Sequence, residues 1–136
     1  MAGRSEARRF ALQMLYLADQ NPEADQDRMQ VELRRQFPDA ALRDFGWSLI
    51  SGVIAARDEL DEAICRTATN WRLDRMAPTD RNVLRMGLYE MTRMGTPAAV
   101  VIDESIEIAR EFGTENSSSF VNGILDKLIP ASPAVE

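Results

Sequence analysis

The chain has 136 residues, 45% of them hydrophobic, which is enough to close one core of ordinary domain size. Its formal charge of -6 at pH 7 opposes any nucleic acid unless positive charge is gathered locally. There is no histidine, which rules out histidine-based hydrolytic triads and histidine metal sites, and the single cysteine, Cys65, cannot form an intramolecular disulfide. No segment approaches the ~20 apolar residues of a membrane span, and residues 1–13 lack an apolar stretch of signal-peptide length, so a cytoplasmic protein with no membrane association is expected.

In chain order, Ala7, Phe10, Ala11, Met14, Leu15 and Ala18 recur at spacings of three and four and predict an amphipathic first helix, stopped by Asn21-Pro22. Asp25 or Asp27 can cap a second helix carrying Met29, Leu33 and Phe37, which Pro38-Asp39 ends. From Ala40 the apolar positions Leu42, Phe45, Leu49, Val53, Ala56, Leu60 and Ile64 predict one long helix, bent near Gly52. Cys65 has an apolar helical context in Ala63, Ile64 and Ala68 and is expected to be a packed core thiol. Trp71, beyond the pattern's end, is expected to be a buried anchor.

Ala77-Pro78-Thr79-Asp80 gives a fresh helix start, followed by Val83, Leu84, Gly87, Leu88 and Met91 up to Gly95. Ile102, Ile106, Ala109 and Phe112 stripe a further helix ended by Gly113, and Phe120, Val121, Ile124, Leu125 and Leu128 stripe the last, stopped by Pro130. Nothing alternates like a strand. The expectation is an all-α chain, with residues 131–136 a flexible tail.

Two stretches could carry function. On the first helix Arg9, Gln13 and Tyr16 fall opposite the apolar stripe, with Arg4 and Arg8 flanking it. Guanidinium groups pair with phosphate and tyrosine offers a platform for an unstacked base, a combination suited to single-stranded RNA; an ordinary solvated face fits the same residues. The run from Thr114 to Ser119, including Asn116 and Ser117, could present free backbone N–H groups to phosphate, or simply cap the last helix. The carboxylates Asp58, Glu59, Asp61, Glu62, Asp103, Glu104, Glu107 and Glu111 read as solvated faces, with no metal or cofactor site, and no nucleophile motif suggests an enzyme.

Three segments together resemble the NusB family of antitermination factors. Arg8-Arg9-Phe10-Ala11-Leu12-Gln13-Met14-Leu15-Tyr16 resembles its opening helix, and Asp80-Arg81-Asn82-Val83-Leu84-Arg85-Met86-Gly87-Leu88-Tyr89-Glu90-Met91 its central signature. Ala109-Arg110-Glu111-Phe112-Gly113, leading to Ser119-Phe120-Val121-Asn122-Gly123-Ile124-Leu125-Asp126, resembles its C-terminal one. The resemblance implies two small packed helical bundles, about 4–70 and 71–130, forming one domain over 1–130. It also implies binding of boxA RNA together with the ribosomal protein NusE, and association with RNA polymerase and other Nus factors during ribosomal RNA transcription. By the same resemblance Arg4, Arg8, Arg9, Gln13, Tyr16, Asn116, Ser117 and Phe120 lie on the RNA side, and Asp80 and Arg81 on the NusE side.

Two departures bear on affinity: Ser5 and Glu6 interrupt the arginine run, and Ser119 stands where lysine is common. Rival expectations are a helical protein-interaction module without RNA, and the RNA-binding domain of a truncated RNA methyltransferase. An exposed apolar patch on the first bundle would serve equally as a homodimer surface or a partner site.

Overall fold

A computed structural model describes residues 3–130; the expected tail, 131–136, lies outside the described residues. Seven α-helices follow in order: α1 (Arg4–Gln20), α2 (Gln26–Gln36), α3 (Ala40–Ala55), α4 (Arg57–Thr67), α5 (Pro78–Arg93), α6 (Ala98–Phe112) and α7 (Ser117–Lys127), with a short 3-10 turn at Leu73–Arg75 before α5. No strand occurs among the described residues. The starts are built as the residue types dictate. Asp25 accepts from the Asp27 N–H, Asp39 accepts from the N–H groups of Ala41 and Leu42, and Pro78 occupies the first turn of α5, where no N–H is needed.

The expected single helix from Ala40 is two helices. At Ala56 the backbone (φ -99, ψ 13) leaves helical geometry for one residue, ending α3 and starting α4. The apolar pattern runs through the break because Ala56 is itself buried, and Leu60 and Ile64 still face the core. Asp58 and Glu59 then sit in the first turn of α4, where negative charge favours a helix start. Gly52 is not the bend. It is a notch: a Cβ there would collide with the ring of Tyr89, which lies against α3.

Helix α1 packs on α3, α3 on α2, and α6 pairs with α7, while α5 touches α1, α3, α4, α6 and α7. Leu49 and Ile50 of α3, Leu84 and Met86 of α5, Ile108 of α6 and Leu125 of α7 are fully buried in one continuous apolar cluster. Gly87 lets α7 approach α5, with Leu125 at contact distance from where its Cβ would be. Gly95, at φ 71, makes the left-handed turn between α5 and α6 that residues with a side chain adopt at a cost.

Helices α1 and α5 run antiparallel, and buried charge holds both ends of their seam. At one end Arg8 donates two hydrogen bonds to the Glu90 carboxylate, Nε to Oε1 at 2.9 Å and Nη2 to Oε2 at 2.5 Å, with side chains 6% and 2% exposed. Glu104 of α6 stands 3.4 Å from Arg8 and accepts from the Ser5 hydroxyl at 2.6 Å. At the other end the Asp19 carboxylate, 2% exposed, receives Arg81, Arg85, Arg57 and the Asn82 amide. Arg85 in turn grips Asp61 through two bonds of 2.6 and 3.0 Å. Asp61 and Glu104, expected on solvated faces, therefore belong to these clusters.

Burial alone would raise the Asp19 carboxyl, but hydrogen bonds and charge from Arg81 and Arg85 outweigh it and hold Asp19 below the ordinary carboxylate range. Burial likewise opposes charge on Arg8, and Glu90 and Glu104 more than offset it. A half-removed buried pair leaves an uncompensated charge, whereas replacing both partners by apolar groups does not. Glu90→Gln should therefore lower unfolding free energy by about 3–5 kcal/mol in urea titrations, and Arg8→Met with Glu90→Leu should recover most of it. Since Asp19 is depressed, its contribution is complete above the unfolded carboxyl value near 3.8 and is lost as pH falls through the lower folded value. Asp19→Asn should be less stable at pH 7, and its deficit relative to the wild type should shrink below pH ~3.8 in acid unfolding curves.

Candidate nucleic-acid interface

The seam orients α1 so that one edge of it stays in solvent. Arg4 is exposed and its guanidinium carbon lies 4.7 Å from the centre of the Phe45 ring, a cation–π contact that fixes the arginine without neutralising it. Five residues on, and on another side of the helix, Arg9 pairs with Glu111 at 2.8 Å, its side chain 27% exposed; the Glu111 hydrogen bond raises the guanidinium above its ordinary value. Gln13 and Tyr16 follow, both exposed, lining a cleft of about 260 Å³ with Leu12, Thr79 and Phe112. Arg9, Gln13 and Tyr16 thus form a row along one helix, facing the end of α6, while Arg4 stands apart from it on the α3 side, over Phe45.

Arg8 is not in that row. It was expected to flank the stripe, but its guanidinium is inside the protein, between Glu90 and the Phe45 ring at 5.0 Å. Its position on the helical wheel was read correctly as intermediate; what periodicity could not show was that α5 supplies a carboxylate there. The interrupting Ser5 has a task of its own, bonding Glu104, and Glu6 approaches Arg9 at 4.0 Å.

From Phe112 the chain passes through Gly113 into α7. A Cβ on Gly113 would collide with the Ser117 side chain and the Ala109 carbonyl, so the close approach demands glycine there, although its backbone (φ -99) does not. Ser117 is buried, and its hydroxyl accepts the Thr114 N–H at 2.9 Å. Asn116 is exposed and makes no capping bond. Phe120 is half-buried and meets Trp71 edge-to-face with ring centres 5.0 Å apart. Trp71, expected to be a buried anchor, is 56% exposed, and Cys65, expected in the core, is exposed as well. Cys65 lies on the outer face of the last turn of α4, next to the buried Ile64, and the turn after α4 carries Trp71 away from the apolar cluster.

At the start of α5 the two residues expected on the partner side differ. Arg81 is committed internally, to Asp19 and to the Met76 carbonyl at 3.2 Å. Asp80 keeps one carboxylate oxygen, Oδ1, buried and without a hydrogen-bond partner. Sequence reasoning assigns no role to Asp19, nor to Glu90 and Asn82 beyond their place in the central signature; the clue available was an arginine repeat at 81 and 85, one turn apart on a face with apolar neighbours.

No helix is long and apolar enough to cross a membrane, and no cluster of three metal-ligating side chains occurs, among the described residues. Residues 5–130 match the family model described as the NusB family. The chain is 43% identical over 131 residues to the transcription antitermination protein NusB of Anaeromyxobacter dehalogenans, covering 96% of this chain and 92% of that one. It is 44% identical to the protein of the same name from Solibacter usitatus, covering 93% and 88%. Among solved structures it superposes on T. maritima NusB with a TM-score of 0.87 at 34% identity, covering 94% of this chain and 91% of that one. A structure of antitermination factors NusB and NusE in complex with double-stranded RNA shares the fold, with a TM-score of 0.83 at 21% identity over 93% of this chain and 95% of that one. With a family match spanning nearly all the described helices and relatives this similar over nearly their whole length, the chain belongs to the NusB family.

Proposed function

We propose that this chain is a cytoplasmic transcription antitermination factor that binds boxA RNA together with NusE. It joins the RNA polymerase elongation complex with other Nus factors and supports ribosomal RNA transcription. It does so as an adaptor, by binding rather than by chemistry of its own. The observation that carries the reading is its similarity over nearly its whole length to proteins named for transcription antitermination.

The RNA side, on this reading, is the exposed row of α1 continued by Asn116 and Phe120, with Arg4 near the helix N-terminus. Arg4 and Arg9 meet phosphates, Gln13 offers an amide to base edges, and Tyr16 and Phe120 offer rings to unstacked bases. Arg8 and Ser117 serve this surface from beneath: Arg8 holds α1 on α5, and Ser117 shapes the turn that presents Asn116. Arg9 must trade Glu111 for phosphate. That exchange is cheap because the pair is largely solvated.

Few free cations and a net charge of -6 imply weak binding by the chain alone. A basic partner supplies what is missing, and Asp80, partly exposed at the start of α5, is the carboxylate that meets it on this reading. Arg81 contributes by holding the start of α5 in place.

In anisotropy titrations with a boxA-like single strand and NusE, Arg4→Glu and Tyr16→Ala should each weaken RNA binding about tenfold while NusE binding is retained. Asp80→Lys should do the reverse, weakening NusE binding at least tenfold and RNA binding only in its presence. Equal binding to boxA and scrambled RNA, indifferent to NusE and to these substitutions, would overturn the reading in favour of a protein-interaction module.

A further inference from the structure

An exposed tryptophan that touches another aromatic is uncommon on a monomer's surface, and Trp71 is 56% exposed while leaning edge-on against Phe120. Its backbone is fixed by a hydrogen bond from the Trp71 N–H to the Ala68 carbonyl at 2.9 Å, so the ring stands on an ordered turn. It forms a ridge between two clefts. On one side lies a groove of about 270 Å³ bordered by Asn70, Ser119, Phe120 and Lys127. On the other lies a wider cleft of about 600 Å³ whose walls carry Arg57, Arg72, Arg81 and Arg85 against Asp61 and Asp74.

The buried Asp19 answers part of that positive charge, since three of the four guanidiniums contact it. Arg72 is different. Its partner is Asp74 at 3.0 Å, both side chains about two-thirds exposed, a pair that water and salt weaken and that a phosphate can replace. Lys127, exposed at the end of α7, offers a second cation on the opposite side of the ring. In a chain of net charge -6, an open indole between two cations, beside polar side chains that can read base edges, has the composition of a single-strand nucleotide platform.

We propose that Trp71, with Phe120, forms a base-stacking subsite for single-stranded RNA, with Arg72 and Lys127 placed to hold the phosphates on either side. This rests on the RNA reading above and extends it. The strand runs from the α1 row past Phe112 and the 113–116 turn to Phe120, then across Trp71. A protein surface could use the same ring, but apolar docking does not call for cations on both flanks or for the polar rim of Asn70 and Ser119.

Trp71 has its own optical signal. In a Trp47→Phe background, where Trp71 is the sole tryptophan, a boxA-like single strand added with NusE should quench indole emission, and Trp71→Ala should lose about tenfold in RNA affinity. Trp71→Phe should keep most of it. Cys65, the only cysteine, lines the cleft on the Arg72 side and is exposed, so RNA should also slow its alkylation by iodoacetamide. Wild-type RNA binding with no quench, no protection and full affinity in Trp71→Ala would overturn this subsite while leaving the α1 surface standing. Loss of NusE binding rather than RNA binding in Trp71→Ala would overturn it too, giving the ring to the protein partner. No RNA binding by the wild type with NusE would overturn both.

Discussion

The structure depends on the seam between α1 and α5, where two buried ionic clusters hold opposite ends of an otherwise apolar contact. Arg8 and Glu90 close one end; Asp19, Arg81 and Arg85 close the other. Burying charge is costly, and these clusters do not exceed what a well-packed apolar seam would contribute to stability. What they add is uniqueness. A one-residue slide or a rotation of α1 would strand at least one guanidinium or carboxylate without a partner in a medium that penalises it by several kcal/mol. The apolar stripe of α1, rich in alanine and leucine, tolerates such shifts far better than the charges do.

Fixing α1 in rotation determines what is left facing solvent. With Ala7, Ala11 and Leu15 inward and Arg8 and Asp19 tied to α5, the edge carrying Arg9, Gln13 and Tyr16 is held outward beside the end of α6. The second cluster reaches further. Through Arg57 and Asp61 it connects α4 to the same seam, and α4 leads into the turn that raises Trp71 against Phe120. The two ends of the surface proposed to carry RNA are thus each anchored by one ionic cluster, with α5 as the common support.

Much of this was legible in the sequence. Spacing gave the helices because their stripes are one-sided, and proline, aspartate and glycine marked most of their ends. The break at Ala56 was not legible: neither a glycine nor a proline marks it, and a one-residue interruption leaves the downstream apolar positions in phase with the core. The wheel separates Arg9, opposite the stripe, from Arg8, flanking it, but it cannot show that Arg8 is buried, since that depends on Glu90, 82 residues away. Trp71 and Cys65 were misplaced for a related reason. Hydrophobic character argues for burial only where a periodic pattern supports it, and neither is on the buried stripe: Cys65 sits one residue round from Ile64 on the outer face of α4, and Trp71 lies beyond the helix. The glycines tell a similar story, because Gly52 and Gly113 answer to Tyr89 and Ser117, contacts that no local rule reveals.

The central claim is that Arg8 acts through Glu90 to set α1, and that the RNA is met by the side chains α1 then exposes. The salt dependence of RNA binding separates these roles, because each phosphate neutralised on a single strand adds about -0.7 to the slope of log K against log salt. The direct measurement compares that slope, with NusE present, between the wild type and the Arg8→Met, Glu90→Leu double variant, which removes the buried pair without leaving a lone charge. An unchanged slope with affinity retained is the predicted result. A slope shallower by about 0.7, with RNA affinity falling accordingly, would contradict it and place Arg8 on a phosphate.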